Sequence, residues 1–421
     1  MNKDYNKDTF CAAAWQGMHL STMSHVIPCC LYKQNTPNVF GTTKKGIKLT
    51  DHYNSNEAKT LRRKLWNGEK PEECGECWLR EKEAKDKNLP DISYRQSLNR
   101  RLSPWLDDLI ENTNEDFSLK KVNLKFLDLR WDNKCNLKCR ICSPEFSSAL
   151  YKEFKNLKFA FNDSGSPYNI SVDETEYEVI LEQLHNVKFL FFAGGEPLTQ
   201  DRFYEILQYC IDNNLAKDMT LWITSNITKV KYKKFDLVQM MKHFKEIEIT
   251  ASIDGSHERG EYLRDGSTWS EVIENIKYIK TVGEKLRFMI VPTPNIMNAY
   301  NIVDLYKEFL EEGYIQHNDI HVNFLTDPAH LQLKNLPEHH KKAVRQRYLD
   351  TIEWIKNSKY SKRSPDELKN DISQFEFLIT TLDQERSEEE FQRFLVKTKQ
   401  VDQYRGNDFY KVFPEFADFI S

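Results

Sequence analysis

Three cysteines stand within eight residues, Cys135, Cys139 and Cys142, directly after the strand-like run VNLKFLDLR at 122–130. Thiolates are soft ligands suited to iron–sulfur clusters and to zinc, so this spacing commits the loop to a metal site. Zinc would want a fourth Cys or His close by, and none follows Cys142 in the loop. Three thiols would leave one iron of a cubane open to another ligand.

Around this loop the chain alternates short strand patterns with amphipathic helices. Strands are expected at 122–130, 187–193, 219–225, 247–253, 286–292 and 319–325. Between the later ones, 202–214, 270–282 and 301–313 repeat apolar residues every three or four positions. Strands joined by such helices form a parallel sheet with right-handed crossovers, and functional residues belong on loops at the C-terminal strand ends. The expected fold is α/β, a partial (β/α)6 TIM-like barrel at 121–330. A cysteine-rich domain at 1–90 precedes it, 91–120 links the two with a short helix around 104–110, and 331–421 forms a helical extension.

Several loops carry candidate ligands. The second strand runs into Gly194-Gly195-Glu196-Pro197, where glycines permit a tight turn and Glu196 can accept from an ammonium group. Thr224, Ser225 and Asn226 end the third strand, and Ser252 and Asp254 the fourth; such groups suit a ribose or an amino-acid end. Cys210 lies in an apolar helical stripe and reads as core. Five further cysteines, Cys11, Cys29, Cys30, Cys74 and Cys77, could hold zinc or a second cluster.

The Cys135-x3-Cys139-x2-Cys142 pattern, GGEP and SIDGSHERGEYLRDGSTW at 252–269 together resemble the radical S-adenosylmethionine (radical SAM) superfamily. The resemblance implies an oxidoreductase-like enzyme that binds a [4Fe–4S] cluster on the three thiols. S-adenosylmethionine would close on the open iron and be cleaved reductively to a 5′-deoxyadenosyl radical. It also implies that GGEP meets the methionine amino group, that Arg264 pairs with the methionine carboxylate, and that Val291 supports the adenine. Ile141 departs from the family, which usually has an aromatic residue there. No residue is assigned as general acid or base.

CAAAWQGMHLSTMSHVIPCC at 11–30 and LRRKLWNGEKPEECGEC at 61–77 resemble the Twitch and SPASM auxiliary-cluster domains, although Ser24 replaces their usual turn glycine and the domain precedes the barrel. This resemblance implies an auxiliary [4Fe–4S] cluster on Cys11, Cys29, Cys74 and Cys77, with Cys30 competing for the place of Cys29. The ending VDQYRGNDFYKVFPEF at 401–416 also resembles such relatives, with no chemistry attached to it. The implied substrate is a peptide or protein, with a small metabolite as the alternative; a non-catalytic iron–sulfur or zinc protein is the reading of another class. A flavodoxin or ferredoxin would be the electron donor.

Lys and Arg total 60 against 64 Asp and Glu, a balance that gives no support to nucleic acid as a partner. No apolar run of membrane-spanning length occurs, and cysteines grouped at metal-site spacings fit a reducing compartment, so a cytoplasmic protein is expected.

Overall fold

The computed structural model describes residues 5–23, 25–33, 38–42, 48–86, 93–161, 174–358 and 365–420; Ser24 lies outside them. The chain is mixed α/β and divides into two units, residues 1–134, 163–223 and 233–247 in one, and 135–162, 224–232 and 248–421 in the other.

The strands are β1 (Gly17–Leu20), β2 (His25–Ile27), β3 (Gly41–Thr42), β4 (Phe126–Leu129), β5 (Lys138–Cys139), β6 (Phe189–Phe192), β7 (Thr220–Ser225), β8 (Glu246–Ala251), β9 (Arg264–Asp265) and β10 (Leu286–Ile290). Eight form one sheet in the order β10-β8-β7-β6-β4-β1-β2-β3. β7 and β8 both pass from one unit into the other. The ladders β1–β4, β4–β6 and β6–β7 are parallel, while β2 and β3 extend the sheet antiparallel beyond β1.

Alternation along these strands sorts the side chains. Leu127, Leu190 and Leu221 share one row and Leu129, Phe192 and Ile223 another, all buried on one face, and the Phe192 ring meets Phe203 of helix Asp201–Asp212 edge-on at 4.8 Å. The opposite face carries the row His19, Asp128, Phe191 and Trp222.

Five of the six expected barrel strands form. At the sixth, pairing with β10 shrinks to a single parallel bridge between Ile290 and Ile320. The facing segment Val291-Pro292-Thr293-Pro294 explains this, because two prolines remove the donors a longer ladder needs. Residues 91–120 hold the short helix expected near 104–110, as Leu106–Glu111, and a second one before it, Tyr94–Leu102. Beyond the barrel, the helices Glu338–Lys356, Pro365–Leu382 and Glu388–Arg405 make the C-terminal region helical. Among the described residues no helix is long and apolar enough to cross a membrane.

Candidate active site and cysteine centres

The three-cysteine loop is shaped by a short antiparallel pair that sets Cys139 opposite Arg264 and Lys138 opposite Asp265. Arg140 donates its backbone N–H to Leu263 at 2.8 Å, and the Cys142 N–H donates to the Cys139 carbonyl at 3.1 Å, curling the thiols into one turn. Ser147 Oγ donates to the Leu137 carbonyl at 2.7 Å. Asn136 is held from both sides, donating to Thr228 Oγ1 at 2.8 Å and accepting from Asn226 Nδ2 at 3.0 Å. Asn226 is therefore a support of the loop from the end of β7. Ser225 Oγ accepts from the Ile227 N–H at 2.9 Å, and the Ser252 N–H donates to the Ser225 carbonyl at 2.8 Å.

Arg264 and Asp254 form a buried ion pair at 2.8 Å beside the loop. Arg264 Nη1 also reaches Cys139 Sγ at 3.6 Å, while its buried Nε has no partner among the described residues. Asp254 accepts the Thr293 N–H at 2.7 Å, which ties the pair to the segment after β10. Val291 continues that strand, donating its N–H to the Ala251 carbonyl at 2.8 Å. Burial pushes the Cys139 thiol up, with the Arg264 charge pulling it back, and burial with the two neighbouring thiols pushes Cys142 up further.

The C-terminal region supplies groups that sequence reasoning missed. Arg140, between two of the cysteines, pairs with Asp402 at 2.5 Å and lies over the Tyr262 ring at 4.0 Å. Tyr262 donates to the same Asp402 oxygen at 2.8 Å, and Arg405 holds Glu153 through two bonds of 2.8 and 2.7 Å. The only signal in the sequence was the unexplained run VDQYRGNDFYKVFPEF.

In the other unit, the GGEP turn lies against the residues just before Cys135. Gly194 and Gly195 have φ of +79° and +55°, and a Cβ on Gly195 would come 2.3 Å from the Lys134 carbonyl oxygen. Only glycine meets both demands. Glu196 donates its N–H to that carbonyl at 2.8 Å, and its carboxylate accepts the Leu198 N–H at 3.1 Å, capping the turn Pro197–Thr199. Arg130 sits under Gly194 and grips Asp128 with two bonds of 3.2 Å. Asp128 also holds His19 Nδ1 at 2.7 Å, both side chains fully buried, and His19 Nε2 has no partner among the described residues. This dyad was not foreseen, since His19 comes from a strand outside the expected barrel; Asp128 and Arg130, alternating in LDLR, were its one visible half.

Cys11, Cys29, Cys74 and Cys77 line a single cavity together with Tyr32, Trp78 and Arg95. Helix Tyr94–Leu102 clamps the chain on both sides of Cys11: Arg95 and Asn99 donate to the Phe10 carbonyl at 2.7 and 2.8 Å, and Asn99 accepts the Ala12 N–H at 2.8 Å. Glu81 fixes Arg95 in turn through two 2.8 Å bonds. Burial, followed by the neighbouring thiols, pushes Cys29 well up. Cys30 does not line the cavity and faces Arg130, Asp128 and Tyr94, with burial pushing its thiol up to about 11. Cys210 is fully buried in its helix.

Both groups offer thiolates alone, a soft donor set suited to an iron–sulfur cluster or to zinc.

Residues 132–306 match the family model described as Radical SAM superfamily. The match covers about two fifths of the chain; enzymes of that superfamily work with a [4Fe–4S] cluster and S-adenosylmethionine, which supports an enzyme here. Among solved structures, the chain is similar to native anSMEcpe with bound AdoMet, at 19% identity over 55% of this chain and 60% of that one, with a TM-score of 0.39. It is also similar to SuiB of Streptococcus suis bound to precursor peptide SuiA, at 13% identity over 81% and 69%, TM-score 0.38. TYW1 with a lysine-pyruvate adduct matches at 14% identity over 52% and 68%, TM-score 0.26. The matched region spans only about 60% of the first of these, and likeness at this level carries no functional weight. No curated protein matches the chain.

Proposed function

We propose that this enzyme binds its S-adenosylmethionine cluster on Cys135, Cys139 and Cys142 and acts on a peptide or protein substrate. The observation that carries the reading is the open three-thiol loop with the Arg264–Asp254 pair against Cys139. Held by Cys135, Cys139 and Cys142, the cluster would supply the electron for reductive cleavage of S-adenosylmethionine and so the means to take a hydrogen from the substrate. The chain's own part is to hold and orient. Arg264, with its free Nε, is placed to take the methionine carboxylate. The Gly194–Pro197 turn, without side chains at its apex, offers backbone to the methionine amino group with Glu196 as acceptor. Ser225, Asn226, Ser252, Asp254 and Val291 frame the nucleoside side.

Cys11, Cys29, Cys74 and Cys77 would hold an auxiliary [4Fe–4S] cluster. Four thiolates leave no open iron, so that centre serves electron transfer or support, with a flavodoxin- or ferredoxin-type donor as the source of electrons. The peptide reading is supported by β3, the last strand of the sheet among the described residues, where an extended chain could add on.

Anaerobic reconstitution with iron and sulfide should give two cubanes per chain, and strong reductant should release 5′-deoxyadenosine and methionine. A stable zinc protein that releases neither refutes the reading. For the substrate class, a deuterated cell extract is split into peptide and small-molecule fractions. Deuterium in 5′-deoxyadenosine should come from the peptide fraction, and its appearance only with small molecules would overturn that part.

A further inference from the structure

Helix Glu338–Lys356 starts after Pro337 and carries His339 and His340 in its first turn. The last described segment, Pro414–Ile420, lies against that turn. Phe416 and Phe419 pack on the His340 ring with centroids 5.2 and 4.9 Å away. Asp418 completes the contact, with one carboxylate oxygen 2.6 Å from His339 Nε2 and both oxygens 3.0 and 3.1 Å from His340 Nε2. The three ligand atoms all lie within 4.8 Å of one another.

The donor set and its surroundings select a kind of ion. Two imidazole nitrogens and one carboxylate oxygen suit zinc and its transition-metal neighbours, whereas calcium and magnesium want several more oxygens. His340 is 5% exposed at its side chain, and its far nitrogen, Nδ1, is fixed by Tyr300 OH at 2.8 Å. An outer partner of this kind sets the ring's orientation and leaves Nε2 to face the metal. A zinc ion with bonds of about 2.0–2.1 Å needs ligand atoms about 3.3 Å apart, so the two histidine–aspartate contacts of 2.6 and 3.1 Å would open by roughly 0.2 to 0.7 Å. His339, exposed to solvent, leaves a side for water as a fourth ligand.

We propose that His339, His340 and Asp418 form a binding site for a divalent transition-metal ion, zinc fitting best, which pins the C-terminal segment to the start of helix Glu338–Lys356. The segment so pinned has work to do. Glu415, three residues before Asp418, pairs with Arg259 at 3.1 Å and accepts from Asn301 at 2.7 Å, and it follows directly on the stretch that holds Arg140 through Asp402. Ordering this segment therefore steadies the three-cysteine loop from behind.

The test uses untagged, fully cluster-loaded enzyme, so that the cysteines are engaged, with zinc chloride as the probe. After gel filtration the wild type should retain one zinc per chain with its iron unchanged, and amide exchange over 409–420 should slow by several-fold. Both effects should weaken at least about tenfold in zinc affinity for His339→Ala and for Asp418→Asn. His339 is exposed, so its replacement leaves the fold intact, and the Asp418 variant gives an independent second reading. Zinc that fails to slow exchange in the wild type, or slows it equally in both variants, overturns the proposal.

Discussion

Cys135, Cys139 and Cys142 share one eight-residue loop, whereas Cys11, Cys29, Cys74 and Cys77 come from three separate segments and meet only in the folded chain. The loop gets its shape locally, from backbone bonds between neighbours and a two-residue strand pair. The cavity gets its shape from side chains of a helix, Arg95 and Asn99, that grasp the carbonyl and amide on either side of Cys11. The difference teaches where each site is vulnerable. A contiguous loop survives loosening of its surroundings but not loss of a thiol, while a gathered cavity depends on every segment arriving.

The sharpest way to break this comparison is Cys139→Ser. Release of 5′-deoxyadenosine and binding of S-adenosylmethionine should fall to background, while iron content drops by about half because the other centre keeps its cubane. Loss of all iron would mean that the two centres assemble as one. Next in size is the pair Cys29→Ser and Cys30→Ser. Only the first should erase the auxiliary cluster's signal in electron paramagnetic resonance, since Cys30 faces Arg130, Asp128 and Tyr94 instead of the cavity. Equal loss in both variants would remove the distinction between these neighbours.

A smaller effect is expected from Asp402→Asn. Arg140 and Asp402 are 3% and 11% exposed, so the change leaves a buried guanidinium without its charge partner. Breaking a buried pair costs about 3 kcal/mol, read as a lower urea midpoint. The cluster on the three-cysteine loop should also bleach faster in air, with the auxiliary signal untouched; equal bleaching of both would show that the C-terminal contacts serve the fold at large.

What the sequence disclosed follows the same division. The three-cysteine loop, the Gly194-Gly195 turn and five barrel strands were legible because each rests on neighbours in the chain: thiol spacing, a positive φ, an alternation of apolar residues. Arg95 and Asn99 were hidden in a stretch that read as a connection, because their role depends on a carbonyl 85 or 89 residues away. Asp402 was hidden more deeply, 262 residues from Arg140. The sixth strand misled for a local reason that lay in its partner, since DIHVNFL has the right alternation but faces Pro292 and Pro294. His19 was lost because β1 is only four residues long and its parallel pairing with β4 has no sequence mark.

The smallest effect concerns that last pair and the region it belongs to. His19 is fully buried, and burial holds it below the ordinary value near 6.5 despite the opposing pull of Asp128. In the unfolded chain it therefore takes up a proton at a higher pH than in the folded one, so folding stability is lost as pH falls below about 6.5. Asp128, itself held low, adds to the loss only below about pH 4, where an unfolded aspartate begins to protonate. His52, His321, His330 and His340 are also held low and contribute to the same slope. His19→Gln should remove one share of that slope between pH 6.5 and 5, making the variant's urea midpoint less sensitive to acid than the wild type's. A variant more sensitive to acid than the wild type would mean instead that His19 is already protonated against Asp128 at neutral pH, making the dyad a fixed ion pair.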